Sequence, residues 1–393
     1  MDEETLFDLW FESRNLAKNT RETYRRYALQ YAKYTQKSLP ELREEAVQEK
    51  RENVPDEERQ YNYYAVRFIK HLRGEDKSRN TVNAAINAVT CFYNFLRVTP
   101  PELTRNRGDI TLEKNFGRLI EKEEIHRLVD VASPRDRAII YTMALSGFSQ
   151  QEVRKLTLRK FLEAVNKELD TDYETIKEIL DHEKVVKELL LQLDITREKV
   201  HYRYTTFMPP ETVARVLTYL RERYYKHKDH MTDLDDTLYV KVTGESLART
   251  TVTSIFNNLG RRAGFKHPPG TFRWWRSHSL RRYFITTVID EPGEYIIAQY
   301  LSGHRISDQD RTYWRSKPEQ LRKKYLKALP YLSLDEGRVL TFESEEYRKA
   351  INKITKLEEN QERNMTNLQP LADVIEQNPE ILDQIIDTMT TKK

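Results

Sequence analysis

The segment 278–313 reads HSLRRYFITTVIDEPGEYIIAQYLSGHRISDQDRTY, and its spacing is the most informative feature of the chain. Arg281 follows His278 by three positions, His304 follows Arg281 by 23, and Tyr313 follows His304 by nine. A guanidinium offers a bidentate fork to phosphate oxygens, and an imidazole can donate to an oxygen or assist proton transfer. A phenol is a nucleophile when nearby cations stabilise its phenolate. With no acidic triad for two-metal chemistry nearby, the set favours metal-free phosphoryl transfer through a covalent tyrosine intermediate.

Taken singly, each of these residues has a more ordinary interpretation. A His-x-x-Arg pair on a helix is usually a surface feature, and Tyr313 is one of 23 tyrosines. The joint spacing is what carries the prediction. In that spacing the segment resembles the tyrosine recombinases, or phage-type integrases, and most of all their archaeal members. The second box of that family matches His278 and Arg281, its Leu-x-Gly-His element matches residues 301–304, and its nucleophile matches Tyr313.

Two more family elements lie upstream. The family's lysine precedes a Thr-Phe-x-x-Pro-Glu element, and Lys199 stands in a similar place before residues 206–211. The first box, Gly-x-Arg-x-x-Glu, reads GFSQQE at residues 147–152, so Ser149 stands where the arginine is expected. Arg154, two residues past the glutamate, either reaches the phosphate from the next turn or is a surface helix residue.

The resemblance implies an enzyme that cuts and rejoins duplex DNA through a 3′-phosphotyrosyl intermediate. In this scheme Tyr313 is the nucleophile and Lys199 is the general acid. Arg281, His278 and His304 hold the phosphate, either alone or together with Arg154. It implies double-stranded DNA as partner, a homo-tetramer on paired sites, and neither a cofactor nor a metal. The alternatives are a type IB topoisomerase or resolvase, a degenerate DNA-binding protein that does not cut, and an architectural protein working through its tail. Ser149 keeps the second alternative open.

Composition agrees with a protein that binds nucleic acid. Of 393 residues, 38% are hydrophobic and 33% charged, but 10% are aromatic, which argues against a disordered chain. Residues 335–393 carry a net charge of −5, which leaves +9 for residues 1–334. No apolar run is long enough to span a bilayer, no signal peptide is readable, and the single Cys91 excludes an internal disulfide. We therefore expect a cytoplasmic protein.

Scarce glycine and proline, 11 and 14 residues, predict a mainly α-helical fold with one small antiparallel β-sheet. The helical periodicity predicts a bundle at residues 1–98, which the resemblance makes a DNA-clamping core-binding domain. We further expect a linker at 99–117, a catalytic domain at 118–334 and an acidic helical tail at 335–393. Alternating residues within 189–208 predict a hairpin, and single helices are expected over 150–161 and 162–188.

Basic side chains cluster at two predicted helix starts in the first domain, where they suit contacts with DNA phosphates. The expected DNA-binding residues are Arg21, Arg25, Arg26, Lys77 and Arg79. The more ordinary interpretation is a solvated polar face. In the tail, an apolar stripe from Ile381 to Met389 predicts a helix that docks either on its own catalytic domain or on a neighbouring protomer.

Overall fold

The computed structural model describes residues 1–75, 77–105, 118–197, 202–268 and 273–335. Contacts group these residues into two compact units, one ending at residue 105 and the other beginning at residue 118. Each unit has its own hydrophobic core. The described chain is mainly α-helical with one two-stranded antiparallel sheet, which confirms the predicted fold class. Among these residues no helix is long and apolar enough to cross a membrane.

The first unit is a helical bundle around an aromatic core. Its helices are α1 (Glu3–Ser13), α2 (Lys18–Thr35), α3 (Leu39–Arg51), α4 (Gln60–Gly74) and α5 (Arg79–Phe95). Trp10, Tyr31, Tyr61 and Tyr93 are almost fully buried in it, and the Tyr31 and Tyr93 hydroxyls are hydrogen-bonded at 3.0 Å. This bond gives the Tyr31 and Tyr93 hydroxyls partners, and a buried hydroxyl without a partner would cost free energy.

Helices α2 and α5 begin differently. The Ser78 side chain caps α5 by accepting from the Thr81 amide. Helix α2 begins at Lys18, and Ala17 precedes it without a side-chain cap. Turn 1 of α2 therefore relies on packing rather than on a capping hydroxyl or amide.

Part of the predicted linker packs on the first unit. The Tyr61 hydroxyl donates to the Thr99 carbonyl at 2.7 Å, and Leu103 packs against the core of the bundle. Residues 106–117 lie outside the described residues.

The second unit holds the remaining elements. These are α6 (Lys122–Asp130), α7 (Pro134–Ser146), α8 (Gln150–Lys155), α9 (Leu158–Leu169), α10 (Ile176–Asp181), α11 (Glu183–Val186), β1 (Leu191–Arg197), β2 (Tyr202–Met208), α12 (Pro210–Arg221), α13 (Arg249–Arg262), α14 (Ser277–Asp290), α15 (Tyr295–Leu301), α16 (Asp308–Ser316) and α17 (Pro318–Leu332). Every residue from Ala138 to Ser146 of α7 is buried, and α12, α14 and β2 pack against this helix. A helix that is apolar all round occupies the centre of a domain.

The hairpin was predicted correctly, whereas two predicted helices are broken. Strands β1 and β2 pair from Leu191 opposite Met208 to Arg197 opposite Tyr202. The expected helix over 150–161 divides into α8 and α9, because Leu156 is extended and Thr157 bridges to Thr237 and caps α9. The expected helix over 162–188 ends at Leu169 and resumes only at α10.

Contacts with Glu211 and Arg215 of α12 hold the last described residues, Leu334 and Asp335, in place. The Glu211 carboxylate is 1% exposed and accepts from the amides of Leu334 and Asp335 at 3.1 Å each. Arg215 pairs with the Asp335 carboxylate at 3.1 Å. Burial raises the pKa of Glu211, and the Asp335 charge adds to the rise. The tail helices predicted beyond this point lie outside the described residues.

Candidate active site

Arg281 is the centre of the candidate site and is only 2% exposed. Its Nη1 donates to the Gly147 carbonyl at 2.7 Å and to Glu152 Oε2 at 3.2 Å, and its Nη2 donates to the Ser302 carbonyl. These acceptors come from the end of α7, from α8 and from the turn after α15. A buried charge is tolerated only when it is paired and hydrogen-bonded. Arg281 therefore ties together three segments that are far apart in the chain.

Glu152 is oriented by the start of α8. The Ser149 hydroxyl accepts from the Glu152 amide at 3.4 Å, and Glu152 Oε2 accepts from the Ser149 amide at 2.5 Å. This reciprocal capping box fixes the carboxylate at the first turn of the helix. Its second oxygen, Oε1, lies 3.0 Å from Arg197 Nε. One buried carboxylate thus pairs with two arginines.

Two motif glycines are required by backbone geometry. Gly147 has φ +69° and Gly303 has φ +66°, values that side chains other than glycine rarely adopt. A Cβ on Gly147 would lie 2.6 Å from Phe284 Cδ1, and one on Gly303 would lie 2.5 Å from Tyr204 Cε1. Both glycines present carbonyl oxygens to arginines of the site, so the close packing sets where those acceptors lie.

His304 follows Gly303 and is partly buried beside the arginines. Its Nδ1 lies 2.6 Å from Gln299 Oε1, an oxygen that only accepts, so the proton of the neutral ring is on Nδ1. Burial, followed by the charges of Arg281, Arg197 and His278, lowers the pKa of His304 to about 4. The ring is therefore neutral near pH 7, and its Nε2 carries a lone pair.

His278 lies in the first turn of α14, three residues before Arg281, and is exposed. The packing of protein around its ring, followed by the charges of Arg276, Arg281 and Arg282, lowers the pKa of His278. The charge of His278 also lowers the pKa of His304, so the two imidazoles share one electrostatic environment. Arg281 acts on the pKa of both histidines.

Tyr313 lies on α16, a helix with no buried residues, and 45% of its surface is exposed. Its ring meets Trp314 edge-on at 4.8 Å between centroids, and Lys317 Nζ lies 4.8 Å from the ring centroid. Within the described chain, no hydrogen bond engages its hydroxyl. Among the described residues, the ring contacts of Tyr313 are with its helix neighbours Trp314 and Lys317 and not with Arg281 or the two histidines.

Arg197 is a site residue that the sequence prediction missed. It ends β1, its Nη1 donates to the Gly303 carbonyl at 2.6 Å, and its Nε pairs with Glu152 as described above. The alternation of buried residues along β1 ends at Ile195, so no local pattern marked Arg197 as a site residue. Lys199 lies outside the described residues.

Arg154 lies elsewhere than the first-box prediction requires. Its Nε donates to the Leu247 carbonyl at 2.6 Å, in the segment before α13. Residues two apart on a helix do not face each other, so Arg154 points away from the side of α8 that carries Glu152. The structure does not bring Arg154 to the Arg281 cluster.

The basic residues predicted to bind DNA are placed on the first unit, where several already have partners. Arg21 donates to the Leu16 carbonyl at 2.7 Å and to Glu12 at 3.3 Å, and Arg25 pairs with Glu4. The Arg26 guanidinium lies 4.6 Å from the Tyr27 ring centroid. Lys77 Nζ lies 3.7 Å from Glu75, and Arg79 begins α5.

The cluster around Arg281 suits an anion, because the guanidinium groups of Arg281 and Arg197 meet at Glu152. Nowhere in the ranges given above do three or more His, Cys, Asp or Glu side chains gather to hold a metal ion.

Comparisons with known proteins agree with this geometry. No family model matches the chain. Tyrosine recombinase XerA of Pyrococcus furiosus is 24% identical over 266 residues, which cover 66% of this chain and 77% of the relative. Tyrosine recombinase XerA of Thermococcus kodakarensis is 22% identical over 279 residues, 67% of this chain and 80% of the relative. A crystal structure of XerA recombinase is 20% identical and covers 80% of this chain and 98% of that chain, with a TM-score of 0.34.

The curated matches and the site lead to the same family. The matched relatives are similar over most of their own length, and His278, Arg281, His304 and Tyr313 have the spacing of the family's boxes. The single departure, Ser149, leaves the glutamate of the first box in place and paired with Arg281. The chain is similar to tyrosine recombinases over most of the length of the matched relatives.

Proposed function

We propose that this protein is a site-specific DNA recombinase or integrase that cuts and rejoins duplex DNA through a 3′-phosphotyrosyl intermediate. The observation that carries the proposal is the buried Arg281, held by Glu152 and by the Ser302 carbonyl beside His304. This arrangement holds a cation rigidly where a phosphate would need it, and such preorganised charge supplies the largest share of many rate enhancements.

Tyr313 is the nucleophile in this proposal. The competing tyrosines near the site are unsuitable, because Tyr300 is 1% exposed and Tyr325 is fully buried with its hydroxyl bonded to the Leu145 carbonyl. Tyr313 is 45% exposed, so DNA can approach it more readily than it can approach Tyr300 or Tyr325. Neutral His304, with its Nε2 lone pair, is placed to accept the tyrosine proton or to bind a protonated phosphate oxygen.

The reaction conserves the phosphodiester bond. The Tyr313 oxygen attacks the scissile phosphorus, and the bond from phosphorus to the 5′ oxygen breaks with its electron pair on that oxygen. Lys199 supplies the proton that makes the leaving group a 5′-hydroxyl, a role that comes from the resemblance alone. Attack by the 5′-hydroxyl of a partner strand reverses the step, so the scheme needs no external energy source.

Strand exchange requires two duplexes, so we further propose that the protein works as a homo-tetramer on paired sites in the cytoplasm. One solved neighbour is a lambda integrase tetramer bound to a Holliday junction; it is 12% identical and covers 79% of this chain and 76% of that chain, with a TM-score of 0.45. The proposal of a tetramer rests on the chemistry of paired exchange and not on that likeness.

The test is the capture of the covalent intermediate. Because the DNA site is unknown, randomised duplexes are first selected by binding to the protein, and the selected duplex is then made with a nick that lets the leaving strand diffuse away. Wild type should form a protein–DNA adduct, and Tyr313→Phe should form none while binding normally. Tyr295→Phe, which alters another exposed tyrosine, is the matched control and should behave as wild type.

The same assay separates the rival functions. Binding without an adduct in wild type would indicate a DNA-binding protein that does not cut. Adducts together with relaxation of supercoils, but without recombinant joints between two site-bearing duplexes, would indicate a type IB topoisomerase. An adduct formed by Tyr313→Phe would exclude Tyr313 as the nucleophile.

A further inference from the structure

We propose that Arg197 is the second phosphate-binding arginine of this site and takes the place of the arginine missing at position 149. The inference rests on the proposed function and adds to it a residue that the family's boxes do not assign in this chain.

The contacts of Arg197 mirror those of Arg281. Each guanidinium pairs with one oxygen of the Glu152 carboxylate, Arg197 at 3.0 Å and Arg281 at 3.2 Å. Each also donates to a carbonyl of the same turn, Arg281 to Ser302 and Arg197 to Gly303. The two guanidinium groups are therefore held side by side by a shared carboxylate and by adjacent carbonyls.

The charge of the cluster depends on Arg197. The negative charge of Glu152 balances the positive charge of Arg281, so these two residues together are neutral. With Arg197 included, the cluster carries a net charge of one positive unit. A phosphodiester brings one negative charge, and negative charge increases on its oxygens as the fifth bond to phosphorus forms. A neutral cluster would stabilise that charge poorly. A preorganised donor aimed at the developing charge lowers the activation free energy by about 2.7–4 kcal/mol.

Arg197 is also the more accessible of the two. Its side chain is 29% exposed, against 2% for Arg281. Its Nη1 donates to the Gly303 carbonyl, and its Nε is 3.0 Å from Glu152 Oε1 in an ion pair. A cavity of about 260 Å³ lies against Arg197, Glu152 and Ser149, so a phosphate oxygen can approach from this side.

Other basic residues near the cavity are less well placed. Lys160 lines it, but its Nζ donates to the Asp194 carbonyl at 3.3 Å and does not pair with Glu152. Arg154 is bonded to Leu247, as described above. Among the described residues, Arg197 alone joins Arg281 on the Glu152 carboxylate.

The experiment measures single-turnover adduct formation on the nicked duplex by wild type, Arg197→Ala, Arg197→Gln and Arg203→Ala. Arg197→Gln keeps an amide that can donate to the Gly303 carbonyl but removes the charge. Arg203 lies on the paired strand, with its side chain 58% exposed and 3.9 Å from Asp194, and serves as the matched control. We expect both Arg197 variants to lose on the order of 10²–10³ in cleavage rate with DNA binding within about threefold, and the control to behave as wild type.

A second substrate distinguishes charge neutralisation from a structural role. Replacing the scissile phosphate with a methylphosphonate removes its negative charge, so the loss in Arg197→Gln should shrink by at least about tenfold on this substrate. A loss of equal size on both substrates would mean that Arg197 only supports the fold and would overturn the proposal. So would cleavage by the Arg197 variants at the rate of the control. Absence of adducts in wild type would instead refute the proposed function, and this inference with it.

Discussion

Replacing Gly303 with alanine tests how tightly the site is built. At φ +66°, an alanine costs about 1–2 kcal/mol in backbone strain. Its Cβ would also lie 2.5–2.8 Å from three ring atoms of Tyr204, which is 1% exposed and cannot swing aside. Overpacking of a core typically costs about 1–3 kcal/mol, so the total is about 2–5 kcal/mol. For a unit of this size that lowers the melting temperature by about 5–15 °C.

The same substitution should impair cleavage, because the turn holds both arginines. The Ser302 and Gly303 carbonyls accept from Arg281 and Arg197, and a shift of about 1 Å in such groups can cost on the order of 10²-fold in rate. Thermal unfolding and single-turnover adduct formation, the latter well below the melting temperature, measure the two effects separately.

Gly244→Ala is the matched control for Gly303→Ala. Gly244 has φ +84°, but no atom lies within 4 Å of the added Cβ. It should therefore lose only the strain, about 1–2 kcal/mol, and leave cleavage unchanged. If the two variants are equally stable and equally active, the contact between Gly303 and Tyr204 does not hold the site, and the reasoning is wrong.

Three further predictions concern single groups. The pKa of His304 is lowered to about 4 from its ordinary 6.5, so between these pH values the unfolded chain binds more protons than the folded protein, and the free energy of unfolding falls as the pH drops. His304→Gln should reduce this loss of stability by on the order of 1–2 kcal/mol, measured by urea unfolding at pH 4.5 relative to pH 7. A pH dependence equal to that of wild type would contradict the lowered pKa. Arg154→Ala should change the cleavage rate by less than about threefold, because its recorded bond is to Leu247, and a loss on the order of 10²-fold would return the first-box role to Arg154. If Arg25 and Arg26 both contact phosphates, replacing both with alanine should reduce the slope of log K for DNA against log salt concentration by about 1–2. An unchanged slope would mean that Arg25 serves its pair with Glu4 and Arg26 its contact with the Tyr27 ring.

Local pattern was a good guide where short-range geometry decides the outcome. The period of a helix predicted the inward residues of α5, of which Val82, Ala85, Ile86, Val89 and Tyr93 are buried. The alternation around residues 191–204 predicted the hairpin. Local pattern failed at Leu156 and Thr157, because a bridge to Thr237, 80 residues away in the chain, interrupts what would otherwise be a continuous helix.

The candidate site divides in the same way. Spacing alone predicts that His278, Arg281, His304 and Tyr313 are site residues, since each position follows from a motif that can be read along the chain. The sequence showed that Ser149 stands where the first box has an arginine, but it did not show which residue could replace that arginine. Arg154, the nearest arginine in sequence, was therefore the candidate. Helical geometry turns Arg154 away from Glu152.

Arg197 was assigned to the site only by the tertiary structure. It lies 45 residues from Glu152 and 106 from Gly303 in the chain, and no local periodicity relates positions so far apart. The packing of β1 against the turn after α15 brings the Arg197 guanidinium within 3 Å of both the Glu152 carboxylate and the Gly303 carbonyl. Buried polar groups need partners, and folding can supply these partners from a distant segment. The sequence by itself determined the mainly helical fold class and the hairpin, whereas the contacts of Arg197 with Glu152 and Gly303 were decided by the packing of distant segments.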